Sequence, residues 1–374
     1  MSEYQYYEFQ CVDKPLNAKE KQEVSQISSR AKVTSTQAIF NYSYGDFPQN
    51  PEKFLAQYFD VMYYIANWGT QQLMFRFPKD LISLKAIAPY CSYRFIDHSS
   101  IGNWVILNWE FSQEEGFYDW IEGEGLLSEL VALRQELLEG DYRGLYLAWL
   151  KSITLAKKEK DINLSELEPP VPPGLKQLSP LQTAFVETFD VDKNLLAVAA
   201  TASHSLSPSS DESLQKAIAS LSRAECDSWL LKLAKGQTNL STKLNQKLSE
   251  SIEKKVPIQS GKRTIQELFD LAKVEKERVE KAEKEAAQAQ QIKALQALAP
   301  REAQVWEEVD NLLIKSQSHT YDQAVKLLIQ LQDLARYRED YLPFQQRLKD
   351  IRAKYSRRTG LLERLNKAGL FSSS

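Results

Sequence analysis

The sequence predicts an α+β fold: an N-terminal mixed sheet domain with helices, followed by a mainly helical region of hairpins and one long helix. Three observations carry this expectation. Of the 39 aromatic residues, 28 lie in positions 1–150 and the other 11 in the remaining 224, so the chain changes character near the end of its first third. Short runs rich in aromatic and branched residues, the signature of strands, alternate with polar helical stretches up to about residue 115. From about residue 118 the apolar spacing turns helical and stays so to the end.

In order along the chain, 4–12, 38–44 and 72–77 read as strands, the last with Leu73, Phe75 and Phe77 alternating with Met74 and Arg76. Between them, 17–29 has a polar helical composition. The stretch 51–68 places Phe54, Tyr58, Val61 and Ile65 at helical spacing and stops before Gly69. The order so far is β-α-β-α-β. Two further strands, 92–97 and 103–111, are expected to form a hairpin through Ser99-Ser100-Ile101-Gly102. These elements make an α+β sheet domain over residues 1–115.

A helical hairpin follows at 116–168, where Leu126, Leu130, Leu133 and Leu137 form one stripe. Gly140-Asp141 breaks it, and Tyr142, Leu145, Trp149 and Ile153 form another. Residues 169–174, Pro-Pro-Val-Pro-Pro-Gly, cannot sustain a helix; they read as a stiff extended linker or a Pro-rich recognition segment. The next helical domain is expected over 175–262, with a low-complexity loop at 203–213 and two helical stripes in 214–255 parted near Gly236. Residues 263–299 form a long charged helix of about 50 Å at about 1.5 Å per residue. Glu277 precedes Lys281 and Glu280 precedes Lys284 by four residues, the favourable orientation for surface pairs. Its apolar seam nearly follows a heptad but is mostly alanine, which points to a solvated arm packed on one side rather than a strong coiled coil. Residues 300–374 hold a last hairpin, 302–315 and 321–337, and a basic helix over 344–370. The recurrence of helix, break and helix resembles a helical repeat, but neither the period nor a consensus repeats.

A length of 374 residues implies two or three domains. With 43% hydrophobic and 26% charged residues the chain can bury a core, and a net charge of −3 points to no nucleic acid or anionic membrane as a global partner. Cys11, Cys91 and Cys226 are odd in number and far apart, which fits a reducing, cytoplasmic setting. The first residues lack a basic and then apolar leader, and no apolar run approaches 18 residues, so neither export nor membrane insertion is expected.

Tested for chemistry, the chain offers little. His98, His204 and His319 are isolated, the cysteines add no ligand spacing, and neither a metal nor another cofactor is expected. No phosphate-cradling glycine loop and no nucleophile-elbow motif is present. Cys91 with His98 is the nearest approach to a nucleophile and base, against the commoner role of cysteine as a small buried hydrophobe. Tyr63, Tyr64, Trp68, Trp104 and Trp109 fit either an exposed stacking surface or core. The C-terminal stretch 344–374 carries eight basic residues against two acidic ones. Within it Lys354, Arg357, Arg358 and Arg364 are spaced so that helical geometry gathers at least three on one side, a candidate contact for phosphates or a partner. The alternative is a solvated face that also suits the helix dipole.

Leu298-Ala299-Pro300-Arg301, Trp306, Tyr321 to Val325, Asp333-Leu334-Ala335 and Arg357 to Leu362 resemble the C-terminal helices of bacterial proteins with a SWIM-type zinc finger. Tyr6-Tyr7-Glu8-Phe9, Asn41 to Phe47 and Ala66 to Gly69 are similar to an uncharacterised bacterial family. The finger's own Cys-x-Cys and Cys-x-His pairs are absent, so the resemblance brings neither zinc nor a functional residue with it. The expectation is a non-enzymatic interaction or scaffold protein of a bacterial cytosolic system, its partner another protein. A nucleic-acid binder acting through the basic C-terminal helix is the alternative, and an enzyme of unrecognised type the third reading.

Overall fold

The computed structural model describes residues 3–91, 93–112, 123–206, 211–252 and 261–371. The fold is α+β, and the chain divides into two compact units, 1–276 and 277–374.

The first unit is built on a seven-stranded sheet. Its elements run β1 (Gln5–Gln10), α1 (Ala18–Ser25), β2 (Lys32–Val33), β3 (Gln37–Tyr42), α2 (Pro51–Tyr58), β4 (Val61–Ala66), β5 (Thr70–Pro78), α3 (Leu84–Ile87), β6 (Ile96–Ile101) and β7 (Trp104–Ser112). The strand order is β2-β3-β1-β4-β5-β7-β6 and every described pairing is antiparallel. The β-α-β order suggests a mixed sheet, yet β1 lies between β3 and β4, so the strands that α2 connects never pair.

Alternation along each strand sends side chains to two cores. Tyr7, Phe9, Phe40, Met62, Tyr64 and Met74 face α1 and α2, where Phe9, Phe40, Phe47, Phe54 and Phe59 pack together, Phe9 and Phe54 edge to face at 4.9 Å between ring centres. Tyr6, Val61, Tyr63, Ile65, Leu73, Phe75, Leu107, Trp109 and Phe111 face the other way. That second face is covered by α4 (Leu126–Leu130), α5 (Leu133–Leu138), α6 (Arg143–Glu159), α7 (Pro180–Thr188) and α8 (Lys193–Thr201). With both faces buried, β4 reads Val-Met-Tyr-Tyr-Ile-Ala with no charged or amide position.

Three sequence expectations are corrected here. The stretch 51–68 is a short helix followed by β4: Phe59 is extended where the helix stops, and Asp60 accepts backbone bonds from Val12 and Asp13 rather than continuing a turn. The β6–β7 hairpin turns at Gly102-Asn103 in a two-residue loop, Gly102 at φ +57°, because Ser99 and Ser100 belong to the polar edge strand β6. Leu126 to Leu137 is two short helices instead of one. The start of the expected hairpin, 116–122, lies outside the described residues.

The Pro-rich segment 169–174 is built into this unit. Tyr90 donates to the Pro170 carbonyl at 2.7 Å, Ser203 to Pro172 at 2.8 Å, and the Gly174 N–H to His204 at 2.7 Å. Three more helices, α9 (Asp211–Ala219), α10 (Arg223–Ala234) and α11 (Leu240–Ile252), occupy the region expected to hold two stripes and the end of a loop. Of the rest of that expected loop, 203–206 is irregular and 207–210 lies outside the described residues. The long helix α12 (Ile265–Leu298) spans 34 residues, about 51 Å at 1.5 Å per residue. Ile265, Leu268 and Ala272 are buried, but from Lys273 to Ala297 no residue is. One packed side thus gives way to a helix with no buried stripe, since the alanines of its seam offer too little apolar area to hold a neighbour.

The second unit is a helical bundle of α13 (Glu302–Lys315), α14 (Ser318–Tyr337), α15 (Tyr341–Lys354) and α16 (Thr359–Lys367). Trp306, Val309, Leu313, Leu328, Phe344, Leu348, Leu361 and Leu365 belong to its core. The expected single helix over 344–370 is broken at residues 355–358, which lets Leu361 and Leu365 turn inward.

Candidate partner surfaces

Two groups of buried ionisable side chains in the first unit form satisfied clusters. Asp60, fully buried, takes Arg76 through Nε at 3.2 Å and Nη2 at 2.7 Å, and the N–H groups of Val12 and Asp13 at 2.7 and 2.9 Å. Arg134 forks onto both oxygens of Asp13 at 2.9 and 2.7 Å and donates to the Arg76 carbonyl at 2.8 Å. Burial alone would raise the Asp60 pKa, but the charges of Arg134 and Arg76 and the two backbone donors hold it below the usual carboxylate range. In a second cluster Glu168 takes both ends of Arg263 at 2.8 Å and the Tyr146 hydroxyl at 3.0 Å. These clusters tie strand ends and helices together, and their hydrogen-bonding capacity is spent on one another.

Among the described residues Cys91 and His98 share no hydrogen bond. Burial pushes the Cys91 thiol up to about 11, the opposite of the activation a nucleophile needs, and its Sγ faces the Ile87 carbonyl at 3.6 Å. His98 lies on the exposed edge strand β6. Among the described residues no group of three or more His, Cys, Asp and Glu is placed to hold a metal ion. Of the five aromatic candidates, Tyr63, Tyr64 and Trp109 are core, Trp104 is covered by the Arg76 guanidinium at 4.2 Å, and Trp68 is exposed.

The four C-terminal basic residues divide into two pairs. Arg358 donates to the Leu313 carbonyl, reaches the Tyr321 hydroxyl and stacks on Tyr355 at 4.5 Å. Arg364 donates to Asp322 at 2.6 Å, to Ser318 at 2.7 Å and to the Gly360 carbonyl at 2.8 Å. Both are therefore struts that fasten α16 and the turn before it to α13 and α14. Lys354 and Arg357 are exposed, Lys354 lying over the Tyr355 ring at 5.4 Å. The sequence signal was charge spacing, which counts cations without showing which have internal acceptors.

One surface was missed from the sequence. Helix α10 begins with a capping box, Ser222 with Glu225, and buries none of its residues. Leu230, Leu231 and Leu233 stand 60%, 55% and 64% exposed, and α9 beside it in the chain exposes Leu214 and Ile218. Single exposed leucines are ordinary, but Leu230 and Leu233, one turn apart, share a side of α10, while Leu231 points about 100° away from Leu230 and widens the exposed apolar surface around the helix. The available signal was Trp229-Leu230-Leu231-x-Leu233, a run too apolar for a helix with a single buried stripe.

No family model matches the chain, and none of the curated proteins or solved structures matches it. Trp306, Tyr321, Ala324, Val325 and Leu361, which carry the resemblance to the SWIM-type proteins, are all buried in the second unit's core. Among the described residues no helix is long and apolar enough to cross a membrane.

Proposed function

We propose that this chain is a non-enzymatic interaction protein that receives another protein on the α10 face. The observation that carries the reading is the trio Leu230, Leu231 and Leu233, each more than half exposed on one helix. An apolar surface of this kind gains nothing from phosphate; it is stabilised by burial against another apolar surface at roughly 25 cal/mol per Å². The occupant is therefore a protein presenting aliphatic or aromatic side chains. The solvated helix α12 supports the same reading, since a long polar helix serves spacing better than catalysis. Affinity capture with nuclease treatment, comparing the wild-type chain with a Leu230→Ser, Leu231→Ser, Leu233→Ser variant, tests it. A protein partner retained by the first and lost from the second is expected.

A second reading, a nucleic-acid contact at the C-terminus, is supported by a narrower set of cations than the sequence suggested. Lys349, Arg357 and Lys367 are exposed and their side chains have no internal partner among the described residues. Three cations would neutralise few phosphates, so this contact would be weak and strongly salt-dependent.

A further inference from the structure

We infer that helices α9, α10 and α11 form a detachable layer, which undocks from the end of the sheet as one body while the rest of the first unit stays folded. Such undocking is independent of what binds α10.

Few apolar contacts hold the layer in place. The three helices pack chiefly on one another. Ala217 and Leu248 are buried, yet neither belongs to either apolar core that flanks the sheet. Docking runs through polar side chains of α11 and the residue before it. Asn239 donates to Asp13 at 3.1 Å, Lys243 to Asp80 at 2.9 Å, and Gln246 to the carbonyls of Leu81 at 2.9 Å and Leu138 at 2.7 Å. Gln135 reaches Thr242 at 3.3 Å. A cleft of about 330 Å³ lies along this seam, lined by Asp80, Leu81, Trp229, Lys243, Gln246 and Lys247.

The energetic consequence follows from the chemistry of those contacts. Each polar bond exchanges for a bond to water when the seam opens, so its net contribution is small, whereas an apolar seam would expose area to water. The Lys243–Asp80 pair is partly exposed and is weakened further by salt. Within the layer, by contrast, Glu225 is clasped to Lys247, and Ala217 and Leu248 are buried, so the helices hold together as the seam parts. Opening also bares the Asp13 carboxylate, which keeps its fork to Arg134.

Hydrogen exchange of the full chain with mass-spectrometric readout tests this. Peptides within 214–248 should exchange together, with protection about 100-fold or more below that of β4, β5 and β7, as expected for a subglobal opening. Raising salt should widen that gap. A Lys243→Ala, Gln246→Ala variant should lower protection in 214–248 further and leave the sheet unchanged. Equal protection of 214–248 and the sheet would overturn the proposal, as would a double variant that lowers both alike. A layer whose three helices exchange independently of one another would also overturn it.

Discussion

Lys151 offers a quantitative test of how the first unit is packed. It lies in the middle of α6, is 3% exposed, and donates to the Asp190 carbonyl at 3.2 Å. Burial lowers its pKa from 10.5 to about 8; the Asp190 charge opposes that shift and the Lys158 charge adds to it. The proton is thus bound more weakly in the folded chain than in the unfolded one. Below about pH 8 both states carry the proton and the folded state bears the full cost. Between about 8 and 10.5 the folded state releases it first, so stability rises with pH across that window. At about 1.4 kcal/mol per pH unit the cost at pH 7 is about 3 kcal/mol. Replacing Lys151 with Met removes that cost and orphans one carbonyl, worth about 1 kcal/mol. The variant should therefore be about 2 kcal/mol more stable than wild type at pH 7, and the gain should shrink to about zero near pH 9.5. Urea denaturation at the two pH values measures this. A variant no more stable at pH 7, or a difference that does not change with pH, would show that Lys151 carries no such cost.

Other outcomes follow from the same geometry. Arg134→Met should destabilise the first unit by about 3–5 kcal/mol in urea denaturation, because it takes the guanidinium fork from the Asp13 carboxylate and one of the two nearby positive charges from buried Asp60, which keeps Arg76. Arg358→Ala should lower the melting temperature of the chain, taking the side-chain donor from the Leu313 carbonyl and the cation from the Tyr355 ring, whereas Arg357→Ala should leave it unchanged. If the C-terminus contacts nucleic acid, Lys349→Ala with Arg357→Ala should reduce the salt slope of oligonucleotide binding by roughly one unit per lost contact in fluorescence anisotropy; no binding at low salt ends that reading. In acid, the clasp within the α9–α11 layer should loosen. Lys247 and the Ser222 cap hold Glu225 down at about 2, and Lys243 lowers Asp80 in the same way. This stabilisation is present above about pH 4.5 and is lost as pH falls toward 2, which exchange kinetics across that range will show.

Much of the fold was legible because its signals are local. The alternation of Leu73, Phe75 and Phe77 marked β5, and the acid-then-base spacing over 277–284 marked the long helix. What escaped was set by tertiary context. Strand β4 is apolar on both faces, so it lacks the period of two that marks a half-buried strand, and Phe54, Tyr58, Val61 and Ile65 fit a helical stripe by coincidence. Helices α7 and α8 carry their own signals, Ser179 and Gln182 in a capping box and Asp192 as a cap, but their apolar stripes are short. The candidate surface was less legible still. The cationic residues could be counted from the sequence, but that Arg358 and Arg364 are spent on the bundle while Arg357 has no partner among the described residues depends on which carbonyls and carboxylates the fold brings near. Exposure of Leu230, Leu231 and Leu233 is likewise invisible until it is known that no core reaches α10.

Protein binding by the α10 face is best tested by placing a photo-crosslinking amino acid at Leu230 in the full chain, under native expression and with nuclease present. Its products are compared with those of a matched probe at Lys354. One defined protein adduct is expected from the Leu230 probe, absent from the Lys354 probe and abolished by Leu231→Ser with Leu233→Ser in a chain whose circular dichroism is unchanged. No adduct above background at Leu230, or the same adducts from both positions, would rule out a protein-binding α10 face.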